Sequence, residues 1–138
     1  MSEESRVIKC AAFRWQGVSL TAYKPDPALF RDVTRQTIVG EGEGEARSGI
    51  VTRYFEVQPG GYSTLERHEH RHTVIVLRGR GTVRLGDGIH AIAPFDVVYV
   101  APRTVHQFRA AGDEPLGFLC VVDRERDKPV PVRDGDAV

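Results

Sequence analysis

Cysteine, methionine and tryptophan are nearly missing from this chain: 138 residues contain two cysteines, one methionine and one tryptophan. Cys10 and Cys120 lie far apart and neither belongs to a C-x-x-C pair. A disulfide framework and a thiolate-ligated metal are therefore not indicated, and the expectation is two buried, reduced thiols. Charge of one sign is also missing, because 19 Lys and Arg balance 19 Asp and Glu. No global field draws the chain to nucleic acid or an anionic membrane, so any partner is recognised locally. No apolar run approaches the roughly 20 residues that cross a bilayer. The polar start Met1-Ser2-Glu3-Glu4-Ser5-Arg6, followed by the short Val7-Ile8-Lys9-Cys10, lacks the pattern of a secretory signal. These features predict a soluble, cytoplasmic protein of one domain.

What is present reads as strand. Val, Ile, Thr and aromatic residues concentrate in 50–57, 73–77, 81–85, 90–92, 97–100, 106–109 and 116–122. Turn formers stand between them: Pro59-Gly60-Gly61, Gly79-Arg80-Gly81, Gly86-Asp87-Gly88, Pro94-Phe95-Asp96, Ala101-Pro102-Arg103 and Gly112-Asp113-Glu114-Pro115. Short strands at such spacing, with no helical periodicity between them, predict an antiparallel sandwich or barrel. Nearer the start, Ala12–Trp15 and Val18–Tyr23 read as two strands joined at Gln16-Gly17, and Pro27–Phe30 as a turn. The Gly-Glu repeat from Gly40 to Glu45 reads as a solvated loop.

Three of the five histidines fall in Glu66-Arg67-His68-Glu69-His70-Arg71-His72. On one extended strand a spacing of two places Glu66, His68, His70 and His72 on one face. Imidazole nitrogen and carboxylate oxygen are donors that zinc, iron, manganese, cobalt and nickel accept, so the line is half of a metal site. The other half has to come from elsewhere in the chain.

The segment resembles the first motif of the cupin superfamily, G-x5-H-x-H-x3-E-x6-G. Gly60, Glu66, His68, His72 and Gly79 meet every spacing, with glutamate in the first histidine position and His72 in the glutamate position. The second cupin motif, Pro-x-Gly followed by a strand and a histidine, is similar to Pro94 through His106. Phe95 or Asp96 stands where a glycine is common, and Ala110 where an asparagine often follows. The resemblance implies a small single-domain cupin, an all-β double-stranded β-helix or jelly-roll barrel, over residues 36–123. It implies one divalent ion, Fe, Mn, Zn, Ni or Co, held by Glu66, His68, His72 and His106. Glu66 is also the candidate base. Residues 1–35 supply extra strands that in similar small cupins extend a neighbour's sheet, so a homodimer is expected. Residues 124–138, rich in charge, form a surface extension with frayed ends.

By parity, His72, Val74 and Val76 share the inner face, as do His106 and Phe108, which predicts a mostly apolar cavity with the metal at one end. His70, Val74 and Phe108 are expected near the ligands. Arg53, Tyr54, Tyr62 and Tyr99 either add polar contacts or are ordinary strand and turn residues; His90 is uninvolved. Four donors leave room for water, dioxygen or substrate on the ion. The leading expectation is a metal-dependent, dioxygenase-like enzyme acting on a small, partly apolar oxygenated molecule. The alternatives are a Lewis-acid isomerase, lyase or cyclase, and a non-catalytic metal or ligand binder.

Overall fold

The computed structural model describes residues 4–41 and 48–133, so within the Gly-Glu repeat Gly42 to Glu45 lie outside the described residues. The strands are β1 (Cys10–Ala11), β2 (Arg14–Trp15), β3 (Thr21–Ala22), β4 (Arg31–Val39), β5 (Ile50–Tyr62), β6 (Glu66–Arg67), β7 (His72–Arg78), β8 (Gly81–Leu85), β9 (Gly88–Ile92), β10 (Val97–Val100), β11 (His106–Ala110), β12 (Leu116–Asp123) and β13 (Val130–Pro131). No helix occurs among the described residues. Every pairing among the described residues is antiparallel. One sheet runs β3-β4-β5-β12-β7-β10 and the other β9-β8-β11-β6-β13. The sheets meet where Tyr62 faces both Arg31 and Arg109, and the curled surface forms the jelly-roll barrel.

That junction departs from the sequence reading. Pro59-Gly60-Gly61 was expected to end a strand, but β5 continues through it to Tyr62. Gly60 takes φ +81, a conformation that glycine reaches without steric cost, so the strand bends from one sheet into the other.

Alternation along the strands fills the space between the sheets. Val33, Phe55, Val57, Val74, Val76, Val83, Phe108, Leu116 and Phe118 are all buried in one apolar cluster. Each contributes about 1.5–3 kcal/mol by leaving water. Phe108 and Phe118 stack at 4.5 Å between centroids and bridge the two sheets.

The N-terminal segment covers the barrel from outside. Its tight turn lies at Ala12-Phe13, both at positive φ (50° and 59°), and β1 and β2 flank it. The expected joint at Gln16-Gly17 is a second turn directly after β2, but β2 pairs back with β1, and β3 on the far side of the turn pairs with β4. Left-handed pairs usually carry Asn-Gly or Asp-Gly, and that signal is missing here. Trp15 packs on Tyr54 at 4.7 Å, and buried Gln36 donates to Phe13 O and accepts from Trp15 N. Cys10 is exposed on β1, unlike the expectation, because this short hairpin turns it away from the barrel; Cys120 is buried as expected.

Candidate metal centre

His68, His72 and His106 converge, with one ring nitrogen from each within 4.8 Å of the others. All three are buried. They arrive from different elements: His72 opens β7, His106 opens β11 directly opposite Glu66, and His68 sits in the bend between β6 and β7. The expectation of one extended strand from 66 to 72 is therefore corrected, since β6 stops at Arg67 and the chain bends over His68–Arg71. The four side chains still meet because the bend is pinned. Arg103 N donates to His68 O, and the Asp127 carboxylate accepts from Glu69 N (2.8 Å) and His70 N (2.9 Å).

Two rings have their orientation fixed by backbone carbonyls. His68 Nδ1 lies 2.8 Å or closer to a carbonyl, at 2.7 Å from His70 O, and His106 Nδ1 is 2.8 Å from Thr104 O. A carbonyl accepts only, so each Nδ1 carries its proton and each Nε2 presents a lone pair. His68 Nε2 is fully buried and has no hydrogen-bond partner. Burial holds the His68 pKa down at about 4, with His106 and His70 adding to the shift. Burial likewise lowers His72 and His106. At neutral pH the cluster is three neutral imidazoles with an orphaned donor among them, the arrangement that a first-row divalent ion satisfies.

Glu66 is buried beside the cluster, with Oε2 at 3.9 Å from His68 Nε2. Its other oxygen is engaged: Lys24 pairs with Oε1, and Tyr23 donates to it at 3.4 Å. Burial pushes the Tyr23 pKa up, which keeps that phenol a donor. One carboxylate oxygen is therefore left to serve as ligand or as base.

His70 stacks on His68 at 3.7 Å and nearly parallel, and its Nε2 is 3.3 Å from His72 Nε2. Asp127 Oδ1 accepts from His70 Nδ1 at 2.8 Å. Hydrogen bonds led by Glu69 N hold the Asp127 pKa well below the usual carboxylate range. Asp127 belongs to the segment 124–138 expected to fray; 134–138 lie outside the described residues, and the described part is anchored. β13 pairs with β6, and Val132 N donates to Leu65 O.

The adjoining cavity has a volume of about 220 Å³. His70, His72, His106, Glu66 and Phe108 line it. Val74 is fully buried on the expected face but packs in the core, not on the cavity. The lining is mostly apolar as expected, with Val33, Phe55, Phe108 and Phe118 on the wall, but Lys24, Arg35, Arg53 and Arg126 add charge that the parity argument did not foresee. Of the polar candidates, Arg53 lines the cavity. Tyr54 donates to Glu56 at 3.0 Å on the other face of β5, Tyr62 lies over Arg109, and Tyr99 and His90 are exposed. Tyr23, Lys24, Arg35, Arg126 and Asp127 were missed. They come from the irregular start, from β4 and from the charged tail, where no local spacing marks them.

Known proteins place this geometry. The cupin domain family profile matches residues 53–122. The chain is 52% identical over 118 residues, 85% of its length and 73% of the relative's, to a protein of Rhodospirillum rubrum named 1-methylthio-D-xylulose 5-phosphate methylsulfurylase. A solved cupin-2 domain from Rhodospirillum rubrum matches 95% of this chain and 86% of its own at 48% identity with a TM-score of 0.80. A cupin 2 conserved barrel domain protein from Rhodopseudomonas palustris matches 96% and 89% at 43% identity with a TM-score of 0.84. The curled sheet, the histidines gathered inside it and these likenesses agree: the chain belongs to the cupin family.

Proposed function

We propose that the protein is a metal-dependent enzyme that activates a small hydroxyketone by Lewis-acid chemistry. His68, His72 and His106, with Glu66 as fourth donor, would hold one divalent ion of the group Fe, Mn, Zn, Ni or Co. The observation that carries this reading is the orphaned, buried His68 Nε2 facing two other neutral imidazoles. Such an ion supplies positive charge beside a substrate oxygen, which acidifies the neighbouring C–H.

The chain's own groups do the rest. His70 Nε2 is the candidate to accept the proton from that carbon, and Glu66 Oε2 is the alternative if the three histidines hold the ion without it. His70 is suited because Asp127 accepts from its Nδ1 and leaves Nε2 toward the centre. Lys24 and Tyr23 hold Glu66 by its other oxygen, which fixes the direction in which Oε2 points. Phe55, Phe108 and Phe118 exclude water from the carbon skeleton. The cationic wall supports a polar, anionic substrate over an aromatic one, and this ranks the Lewis-acid reading above the dioxygenase-like expectation. The name of the relative from Rhodospirillum rubrum points the same way, to a phosphorylated ketose derivative.

The test is exchange of the C–H proton of 1-methylthio-D-xylulose 5-phosphate with D2O under argon, read by proton NMR. Metal-dependent exchange that is lost in His106→Ala supports the reading. Substrate-dependent oxygen uptake without exchange selects the oxygenase instead, and binding with neither leaves a non-catalytic cupin.

We also propose a homodimer formed through the N-terminal segment, residues 1–35, whose Val7 and Leu20 are 78% and 47% exposed. Light scattering at micromolar concentration should give twice the chain mass, and a monomer mass contradicts the assignment.

A further inference from the structure

The cavity wall contains charge that the metal centre does not use. Arg35 on β4 and Arg53 on β5 are diagonal neighbours, because Arg35 faces Phe55 and Thr37 faces Arg53 across the ladder. Both line the cavity. The Nε of each is fully buried with no hydrogen-bond partner. Arg53 is otherwise held by soft contacts, its Nη2 donating to Cys120 Sγ at 3.6 Å and its guanidinium 5.0 Å from the Phe55 ring centre. A buried donor left unmade costs about 1–3 kcal/mol, and more when it is charged. Two such donors on one wall imply an acceptor that arrives from outside.

Arg126 stands with them on the cavity and already holds an anion: its Nη2 donates to Glu41 Oε1 at 2.9 Å. That hydrogen bond, together with the charges of Arg126, Arg53 and Arg35, lowers the Glu41 pKa. The Glu41 carboxylate thus lies within the field of all three guanidinium groups, while its side chain remains 42% exposed. Arg126 Nη1 is tied to the Asp123 and Arg124 carbonyls, so its position is set by the backbone.

We propose that Arg35 and Arg53, with Arg126 at their edge, form a subsite for the phosphate group of a phosphorylated hydroxyketone, and that Glu41 is the resident carboxylate which the phosphate displaces. The subsite rests on the hydroxyketone reading of the same cavity. A phosphate monoester carries about −1.5 to −2 charge and three terminal oxygens. It can engage two guanidinium forks at once, whereas one carboxylate has two oxygens and suits a single fork. Glu41 satisfies Arg126 and leaves the buried Nε atoms of Arg35 and Arg53 unmet, which is the gap that the larger anion fills.

Isothermal titration of the metal-loaded protein with D-ribulose 5-phosphate, D-ribulose and inorganic phosphate tests this. The phosphate ester should bind at least tenfold more tightly than ribulose, and inorganic phosphate should compete with it. Arg35→Gln and Arg53→Gln should each weaken ribulose 5-phosphate tenfold or more, with ribulose affinity and metal content unchanged within twofold. Glu41→Gln, a change at a partly exposed side chain, should tighten it several-fold. Equal affinity for the ester and the sugar overturns the proposal, as does unaltered ester binding in the arginine variants. Weaker ester binding in Glu41→Gln overturns it even if the arginine variants fail to fold. Ester binding that survives the arginine changes but vanishes in His106→Ala places the phosphate on the metal and also overturns it. Failure of the metal reading shows separately, as background metal in the wild-type protein.

Discussion

Single residues decide both the chemistry of the centre and the tightness of the turns around it. His68 has a folded pKa of about 4 against an ordinary value of 6.5. Between those two pH values the unfolded chain takes up a proton that the folded chain refuses. Stability of the metal-free protein therefore falls as pH drops through that window, by on the order of 3 kcal/mol from His68. His72 and His106, also lowered, act in the same direction. Thermal unfolding with chelator, from about pH 7.5 to about 4.5, should show a steadily falling Tm, and a flat profile contradicts the neutral, buried cluster. Gly79 closes the first histidine motif at φ +71, where an added Cβ would stand 2.1 Å from Pro115 O. Left-handed strain of about 1–2 kcal/mol plus that contact should make Gly79→Ala lose roughly 3 kcal/mol by chemical denaturation. Phe95 is the opposite case, a bulky residue at φ 73 and 83% exposed, in the turn where Phe95 or Asp96 stands in place of the glycine common in the second cupin motif. Relief of strain exceeds the entropic cost of glycine, about 0.5–1 kcal/mol, so Phe95→Gly should stabilise slightly or leave stability unchanged.

Elements were legible to different degrees, and the reason is physical. Strands β7, β8, β10, β11 and β12 are short runs rich in β-branched, aliphatic and aromatic residues between clear turn formers, so their existence could be read, and parity from His72 and His106 gave the inward faces of β7 and β11. The convergence of His68, His72 and His106 was legible because two spaced motifs set these histidines in or next to strands β6, β7 and β11. The bend at His68–Arg71 was not, because its cause lies 57 residues away in the Asp127 carboxylate. A run such as Asp123-Arg124-Glu125-Arg126-Asp127-Lys128 looks like a solvated tail until β13 pairs with β6 and turns it back over the site. Lys24 and Arg35 are likewise invisible to spacing, since only the ladders β3-β4-β5 bring them to the cavity. Asp127→Ala removes two backbone contacts of the bend and the partner of His70 Nδ1. Metal affinity should fall 10- to 100-fold by competitive chelator titration, in line with other groups that orient ligands indirectly. Unchanged affinity would mean that the bend holds itself without the tail.

At the scale of the molecule, the barrel solves one problem twice. It closes its sheets around an apolar core, and it places the open end of that core where β7, β11 and the bend after β6 bring imidazoles to a partly enclosed cavity. The N-terminal hairpin seals the outer face over Tyr54 and Glu56, where Arg78 Nη1 also donates to Glu56 Oε2 at 3.1 Å. The inner face of β5 is thereby free to carry Arg53 and Phe55 toward the ligand space. Everything proposed for the site depends on the three histidines binding a metal ion together. The direct measurement is elemental analysis of the purified protein beside His68→Ala and His106→Ala, each checked for retained fold by its β-sheet circular dichroism. One divalent ion per chain in the wild-type protein and loss of it in both variants is the expected result; equal metal content in all three contradicts the centre.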